Sequence, residues 1–388
     1  MKKWYFLLFI AFVSCKNSDE PELASRLVDV QEVREMKKEE VLALAAPLMG
    51  DLAPLIGGAL KHDIKLYKVR YTTITTDGKE IVASGALVMP IGAAKVRLLS
   101  IQHGTQFEES DAPSYFKSGT ESLLALFMGA VGFATAMPDY VGYGESKAEP
   151  HPYEHAEGLA VPAVDYLLAV KEFMKEAKTD WDNRLYLAGY SAGGYATLAT
   201  QKLIEASFSK EFNLVASSCG AGAHNKSLLL DLFVNEPTAG EANHNRSYIW
   251  VLQTYNRIYN WKKPMSYFFK EPYASAIEKD GYKVNFTGSF NTLLNPTFVS
   301  SYNGGGEEEV RKAFKENDLT HWKSLTQTLL VHGDADTYVP YINSKTAYEG
   351  MTEAGSPKVN LVTVKGGTHE SSIQEFILRT YIQFGANP

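Results

Sequence analysis

Cysteine is almost missing from this chain. Only Cys15 and Cys219 occur in 388 residues, so at most one disulfide could form and a disulfide-stapled framework is excluded. A block of positive charge is missing too. The formal net charge is −7 and no long basic run interrupts it, which excludes nucleic acid as an expected partner. There is no Walker loop and no GxGxxG fingerprint, so nothing marks a bound nucleotide or dinucleotide. HExxH is absent as well. The stretch EPHPYEHAEG, 149 to 158, gathers His151, His155, Glu154 and Glu157, yet without that helical spacing it is a weak metal candidate. No metal and no cofactor is expected.

What is present begins with MKKWYFLLFIAFVSC. Lys2 and Lys3 form a positive head. Trp4 to Val13 is apolar but too short to span a bilayer, which is the pattern of a secretory signal peptide over residues 1–14. Its end, Val-Ser-Cys, resembles a bacterial lipobox. That resemblance implies lipid attachment at Cys15, a flexible tether over 15–30, and a protein exported and anchored to the cell envelope. The remainder is ordinary globular material, 45% apolar and 21% charged, long enough for one large domain or two modest ones.

Residues 31 to 60 read as a helical lead-in. Leu66 to Thr75 and Glu80 to Met89, split by Thr76-Asp77-Gly78, read as a hairpin. Buried strands are expected at Val96 to Gln102, Gly132 to Met137, 184 to 189 and Phe212 to Ser217, with helices at Val164 to Ala177 and Ala192 to Ala206. From about 224 to 320 the alternation stops and aromatic residues rise to about one in six. It then resumes with strands at Thr328 to His332 and Lys358 to Lys365, each followed by a helix. The expected organisation is a core over 31–223 and 321–388, interrupted by a cap over 224–320.

LYLAGYSAGGYATLA, 185 to 199, holds the chemistry. Gly189 and Gly193 flank Ser191 in the G-x-S-x-G pattern of a nucleophile elbow, where a tight strand-to-helix turn exposes the serine oxygen. A hydroxyl needs a base, an orienting acid and an oxyanion hole. LLVHGDADTYVP, 329 to 340, offers Asp336, with Asp334 as the alternative. VKGGTHE, 364 to 370, offers His369 just past the last expected strand, and histidine is the natural base near neutral pH. The N–H groups of Ala192 and of Thr105, in SIQHGTQFEES, could face a developing negative charge, with Gly104 as substitute for Thr105.

Taken together, residues 96 to 385 resemble the α/β-hydrolase superfamily. QHGT, PDYVGYGES and HPYEHAEG look most like its secretory lipase and carboxylesterase group. The resemblance implies a mostly parallel α/β sheet flanked by helices, with a helical cap inserted before the last two β/α units. It also implies a Ser191–His369–Asp336 triad that acts on small-molecule carboxylic esters through an acyl-enzyme. MPDYVGYGES would shape the pocket wall. Acyl groups on polysaccharides or short peptides are the alternative substrates. A non-catalytic binding lipoprotein is the third reading, and the intact Ser, Asp and His oppose it. The aromatics of 224–320, Tyr248, Trp250, Tyr255, Tyr259, Trp261, Tyr267, Phe268 and Phe269 among them, should mostly pack on one another. A remainder facing Ser191 would make an apolar acyl pocket that favours longer chains.

Overall fold

The structure is a computed structural model describing residues 24–49, 57–117 and 119–385. The expected signal peptide and Cys15 lie outside them. Among the described residues, nine strands form one sheet in the order β1-β2-β3-β5-β4-β6-β7-β8-β9. They are β1 (Leu27–Met36), β2 (Ile64–Ile74), β3 (Glu80–Pro90), β4 (Val96–Gln102), β5 (Phe133–Pro138), β6 (Trp181–Tyr190), β7 (Asn213–Gly220), β8 (Gln327–Gly333) and β9 (Val359–Val364). The β1, β2, β3 and β5 neighbours pair antiparallel. Every pair from β5–β4 through β8–β9 is parallel. Parallel strands need crossovers, and the helices supply them while covering both faces.

Strand periodicity explains the layering. On β4 and β6, Leu98, Leu185 and Leu187 face one side, where they meet Val164, Leu167, Val170 and Ile204. Leu99, Tyr186 and Ala188 face the other, where they meet Leu124, Phe127, Phe376 and Phe384. Successive side chains alternate across the pleat, so a strand covered on both faces must be apolar throughout. The first cover comes from α3 (Ala156–Glu176) and α4 (Ala192–Ser207). The second comes from α1 (Lys38–Met49), α2 (Thr120–Val131) and α12 (Ile373–Gly385).

Two expectations need correction. Leu27 to Met36 is a strand, not tether followed by helical lead-in. It adds to the hairpin edge through backbone pairing and surface ion pairs such as Arg70–Asp29 at 2.7 Å. It is exposed along most of its length, so it carries no alternating apolar signal. The helix expected from Val164 starts at Ala156. His155 caps it, Nδ1 accepting the Gly158 N–H at 3.0 Å, and the helix runs through Pro162.

Between β7 and β8 the chain forms α5 (Lys226–Asn235), α6 (Ala242–Ile258), α7 (Met265–Phe268), α8 (Tyr273–Asp280), α9 (Pro296–Asn303) and α10 (Glu308–Glu316). Its only β feature among the described residues is an isolated bridge, Phe269 to Leu294. A buried ion pair joins this insertion to the loop before α3. Lys226 Nζ meets Glu154 and lies 4.0 Å over the Tyr195 ring. The Tyr255 hydroxyl donates to Glu154 O at 2.9 Å. HPYEHAEG is thus a docking loop. His151 Nδ1 contacts Val141 O at 2.7 Å, Glu154 holds Lys226 and His155 caps α3, so three of the four candidate ligands are engaged separately. After β8 come α11 (Ile342–Glu353), β9 and α12. No helix among the described residues is long and apolar enough to cross a membrane.

His103 and His224 are buried beyond the carboxyl ends of β4 and β7. Burial lowers them to about 4 and about 3. The native state therefore keeps both neutral, while the unfolded chain takes up protons below about pH 6.5. Each should remove about 1.4 kcal/mol of stability per pH unit as pH falls from there toward its folded value. Urea denaturation at pH 7, 6 and 5 checks this. His224→Gln should lessen the slope by one proton's worth, and an unchanged slope would refute the assignment.

Candidate active site

Ser191 sits at the join of β6 and α4 with φ 58° and ψ −127°, a conformation that costs a non-glycine residue on the order of 1–3 kcal/mol. The turn holds because the chain around it packs backbone to backbone. A Cβ on Gly189 would collide with Gly193 O, one on Gly193 with Gln102 O, and one on Gly194 with Gly220 O. The Ser191 N–H donates to Gly220 O at 2.8 Å. Glycine is required by close approach at each of these positions.

His369 arrives from the turn after β9. Gly366, at φ 68°, donates its N–H to Asp334 Oδ1 at 2.5 Å. The Tyr190 hydroxyl donates to His369 O at 2.6 Å. The imidazole then lies with Nε2 2.9 Å from Ser191 Oγ and Nδ1 2.6 Å from Asp336 Oδ2. A carboxylate only accepts, so Nδ1 carries the proton and Nε2 is left to take the serine's.

Asp336 is held on both oxygens. Oδ1 accepts the N–H groups of Tyr338 and Val339 at 2.8 and 2.9 Å. Oδ2 accepts from His369 and also lies 3.2 Å from His332 Nε2. Burial alone would raise this carboxyl; hydrogen bonds from His332 and His369 outweigh it and hold Asp336 well below the usual carboxylate range. His332 was legible only as a letter of the HGDAD motif. Fully buried, it also reaches Val339 O at 2.8 Å and Ser344 Oγ at 2.7 Å. With two oxygen acceptors before it, Nε2–H donates, while Nδ1 is tied to the Ser344 hydroxyl. Asp334, the sequence alternative, is exposed and braces the turn that presents His369.

Thr105 and Ala192 flank the serine. Among the described residues neither N–H has a hydrogen-bond partner, whereas that of Gly104 donates to Glu121 Oε1 at 3.0 Å. This separates Thr105 from its substitute.

A cleft of about 790 Å³ opens on Ser191, Thr105 and His369. The insertion contributes Glu241, Ala242, Asn243, His244 and Asn285, and the core adds Glu121, Thr337, Thr368 and Glu370. The expected aromatic acyl pocket is not there. Tyr248, Trp250, Tyr255, Phe268 and Phe269 are buried, Tyr259, Trp261 and Tyr267 pack half-buried against them, and none of the eight lines this cleft. Trp250 instead borders a neighbouring cleft of about 490 Å³ together with Gly142 and Tyr143. PDYVGYGES thus shapes that second wall and supports the loop after β4, through Tyr140 to His103 O at 3.4 Å and Tyr143 to Gln106 O. Within the cleft on Ser191, Tyr338 stacks on His244 at 4.0 Å and lies 4.9 Å from the His369 ring. Sequence reading missed both of these residues.

Because only Asp336 touches the imidazole, Asp336→Asn should lower kcat by about 10⁴-fold. Asp334→Asn should cost less than about tenfold, since it loosens a turn. Steady-state kinetics on the two variants tests this, and equal losses would overturn the geometry's reading.

No family model matches the chain, and no curated protein matches it. Solved structures do. A Legionella pneumophila protein assigned as a hydrolase superposes with a TM-score of 0.84 at 24% identity, over 93% of this chain and 98% of its own. The rice cell wall degrading esterase LipA from Xanthomonas oryzae gives 0.73 at 23%, over 92% and 95%. Candida antarctica lipase A gives 0.62 at 14%, over 89% and 77%. With the strand order and crossovers described above, this likeness establishes the architecture: the chain has the α/β-hydrolase fold.

Proposed function

We propose that the protein is a serine ester hydrolase. One observation carries the reading: a strained serine whose oxygen lies 2.9 Å from an imidazole that is itself oriented, at 2.6 Å, by a buried carboxylate. His369 takes the Ser191 proton as Oγ attacks the ester carbonyl. Asp336 stabilises the imidazolium. The N–H groups of Thr105 and Ala192 receive the oxyanion. His369 returns the proton to the departing alcohol, and water releases the acid by the same path. The insertion acts as the cap that supplies one wall of the cleft.

The many polar side chains in the cleft's mixed lining support short or hydroxyl-bearing esters over long-chain lipids. The similarity to a cell wall degrading esterase agrees with this choice. An apolar tunnel would add about 0.8 kcal/mol, roughly fourfold in kcat/KM, per methylene of acyl chain. The cleft is open, and its apolar side chains, Phe107, Tyr190, Tyr338 and Ile373, stand among polar ones rather than closing into a tunnel. Across p-nitrophenyl esters from acetate to decanoate, kcat/KM should therefore stay flat or fall beyond the shortest members. A sustained rise to eight carbons or more would sink the substrate assignment. Ser191→Ala should abolish turnover, a loss on the order of a millionfold in kcat, with far-UV dichroism unchanged. Turnover within tenfold of the original chain would sink the mechanism itself. Faster cleavage of aminoacyl nitroanilides than of esters would favour the peptidase alternative.

We also propose export and lipid anchoring through Cys15, on the strength of the N-terminal pattern. In detergent-phase partitioning the intact protein should enter the detergent phase and Cys15→Ala should remain aqueous. Equal partitioning of two equally processed forms would refute the anchor.

A further inference from the structure

The loop after β4 is pinned at several points. His103, kept neutral by burial, can donate only one proton. Its shorter contact, Nδ1 to Gly104 O at 2.8 Å, marks where that proton goes. Tyr140 and Tyr143 donate to the carbonyls of His103 and Gln106. The hydroxyls of Thr105 and Tyr153 are bonded at 2.6 Å. One tie is of another kind. The Gly104 N–H donates to the carboxylate of Glu121, at 3.0 Å. Glu121 is the second residue of α2 and shares the cleft wall with Thr105 and Ser191. Gly104 is wedged between them. A Cβ there would lie 3.0 Å from Glu121 Oε1, 3.3 Å from Tyr190 O and 3.8 Å from Ser191 Cβ.

We propose that Glu121 is the positioning residue of the oxyanion loop: by taking the Gly104 N–H it fixes the His103–Gly104 peptide plane, from which the next peptide carries the Thr105 N–H toward the substrate carbonyl. The inference rests on the serine-hydrolase reading and adds a residue to it. A carboxylate in the wall of a site that must receive an oxyanion is electrostatically unfavourable there, so its presence needs a compensating role, and an amide fixed in place is one. Its surroundings strengthen the bond. Burial pushes the Glu121 carboxyl up, against the pull of its own N–H and that of Gly104, and in such a desolvated place an amide-to-carboxyl bond is stronger than in water. Without it the Gly104 N–H has no acceptor, and the loop can turn either peptide toward the serine.

The test compares Glu121→Ala, which deletes the acceptor, with Glu121→Gln, which keeps an acceptor oxygen and removes the charge. Rates are expressed per active site titrated by a fluorophosphonate, so any unfolded fraction drops out. In Glu121→Ala, kcat for p-nitrophenyl acetate should fall on the order of 10²-fold, the usual scale for a lost or misplaced oxyanion donor. KM should stay within about threefold. A trifluoromethyl ketone reports the same geometry independently. Ser191 Oγ bonds to its carbonyl carbon, His369 takes the proton, and the carbonyl π pair becomes the oxyanion. Its Ki should rise in step with the loss in kcat, which a merely structural role would not produce. Glu121→Gln should recover at least tenfold of both losses. If Glu121→Ala keeps kcat and Ki within threefold, or if Glu121→Gln falls as far as Glu121→Ala, the proposal is overturned while the serine mechanism stands. If Ser191→Ala is as active as the original chain, the reading beneath it fails instead.

Discussion

Everything at the site depends on how closely three strand ends approach one another. The carboxyl ends of β4, β6 and β7 meet closely around Ser191, because Gly193 and Gly194 leave that space to backbone atoms, Gly189 to the backbone and the Thr197 hydroxyl, and Gly220 to the rings of Tyr190 and Phe376. The approach has three consequences. The first turn of α4 is drawn under β4, which puts the Ala192 N–H beside the loop that carries Thr105. Ser191 is forced to positive φ and its oxygen into the cleft. Its N–H is satisfied by Gly220 O rather than by the helix, so the strain is offset by a bond the turn itself creates. A methyl group at Gly193 would push apart the strand ends from which Thr105 and Ala192 follow, a larger effect than the loss of one contact.

The second constraint is electrostatic. A histidine base needs an anion behind it, and a buried anion is costly unless every lone pair is occupied. Asp336 meets this with two backbone N–H groups on one oxygen and two imidazoles on the other. His332 is in turn fixed by Ser344 and Val339, so the carboxylate cannot rotate toward solvent when His369 moves. Asp334 lies two residues away and serves the opposite end of the same assembly, bracing the turn that presents the imidazole. The two aspartates divide orientation of the base between them, and only one of them touches it.

Much of this was legible in the sequence, for definable reasons. Strands covered on both faces, such as Val96–Gln102, read as unbroken apolar runs and were placed to the residue. The elbow was legible because close backbone approach admits only glycine. Elements stabilised by neighbours rather than by their own pattern were not. β1 is an exposed edge with charged side chains, α2 was left unassigned, and the first two turns of α3 run through Gly158 and Pro162, where local propensity opposes a helix that His155 and the docked loop impose. Ser191, Asp336 and His369, which the structure brings together, were picked out by the elbow motif, chain order and resemblance to a known family. Glu121, His332, His244 and Tyr338 were not, because nothing along the chain marks a residue whose role is to hold another.

The aromatic insertion shows the same limit from the other side. Its composition suggested an oily pocket, yet an aromatic ring has two faces and an edge, and here they are largely taken. Trp250 lies between Tyr153 at 4.1 Å and Tyr282 at 4.0 Å, nearly parallel to both. Tyr248 packs between Phe233 and Phe290, and Phe268 between Trp261, Tyr267 and Phe298. Short helices with few residues each can exclude water only by such mutual packing. The rings therefore hold the insertion together, and the start of α6 is free to present polar side chains to the serine. Composition reports what a segment needs in order to fold. What it shows to a substrate is decided by the residues its core can spare, and in this insertion those are Glu241, Asn243, His244 and Asn285.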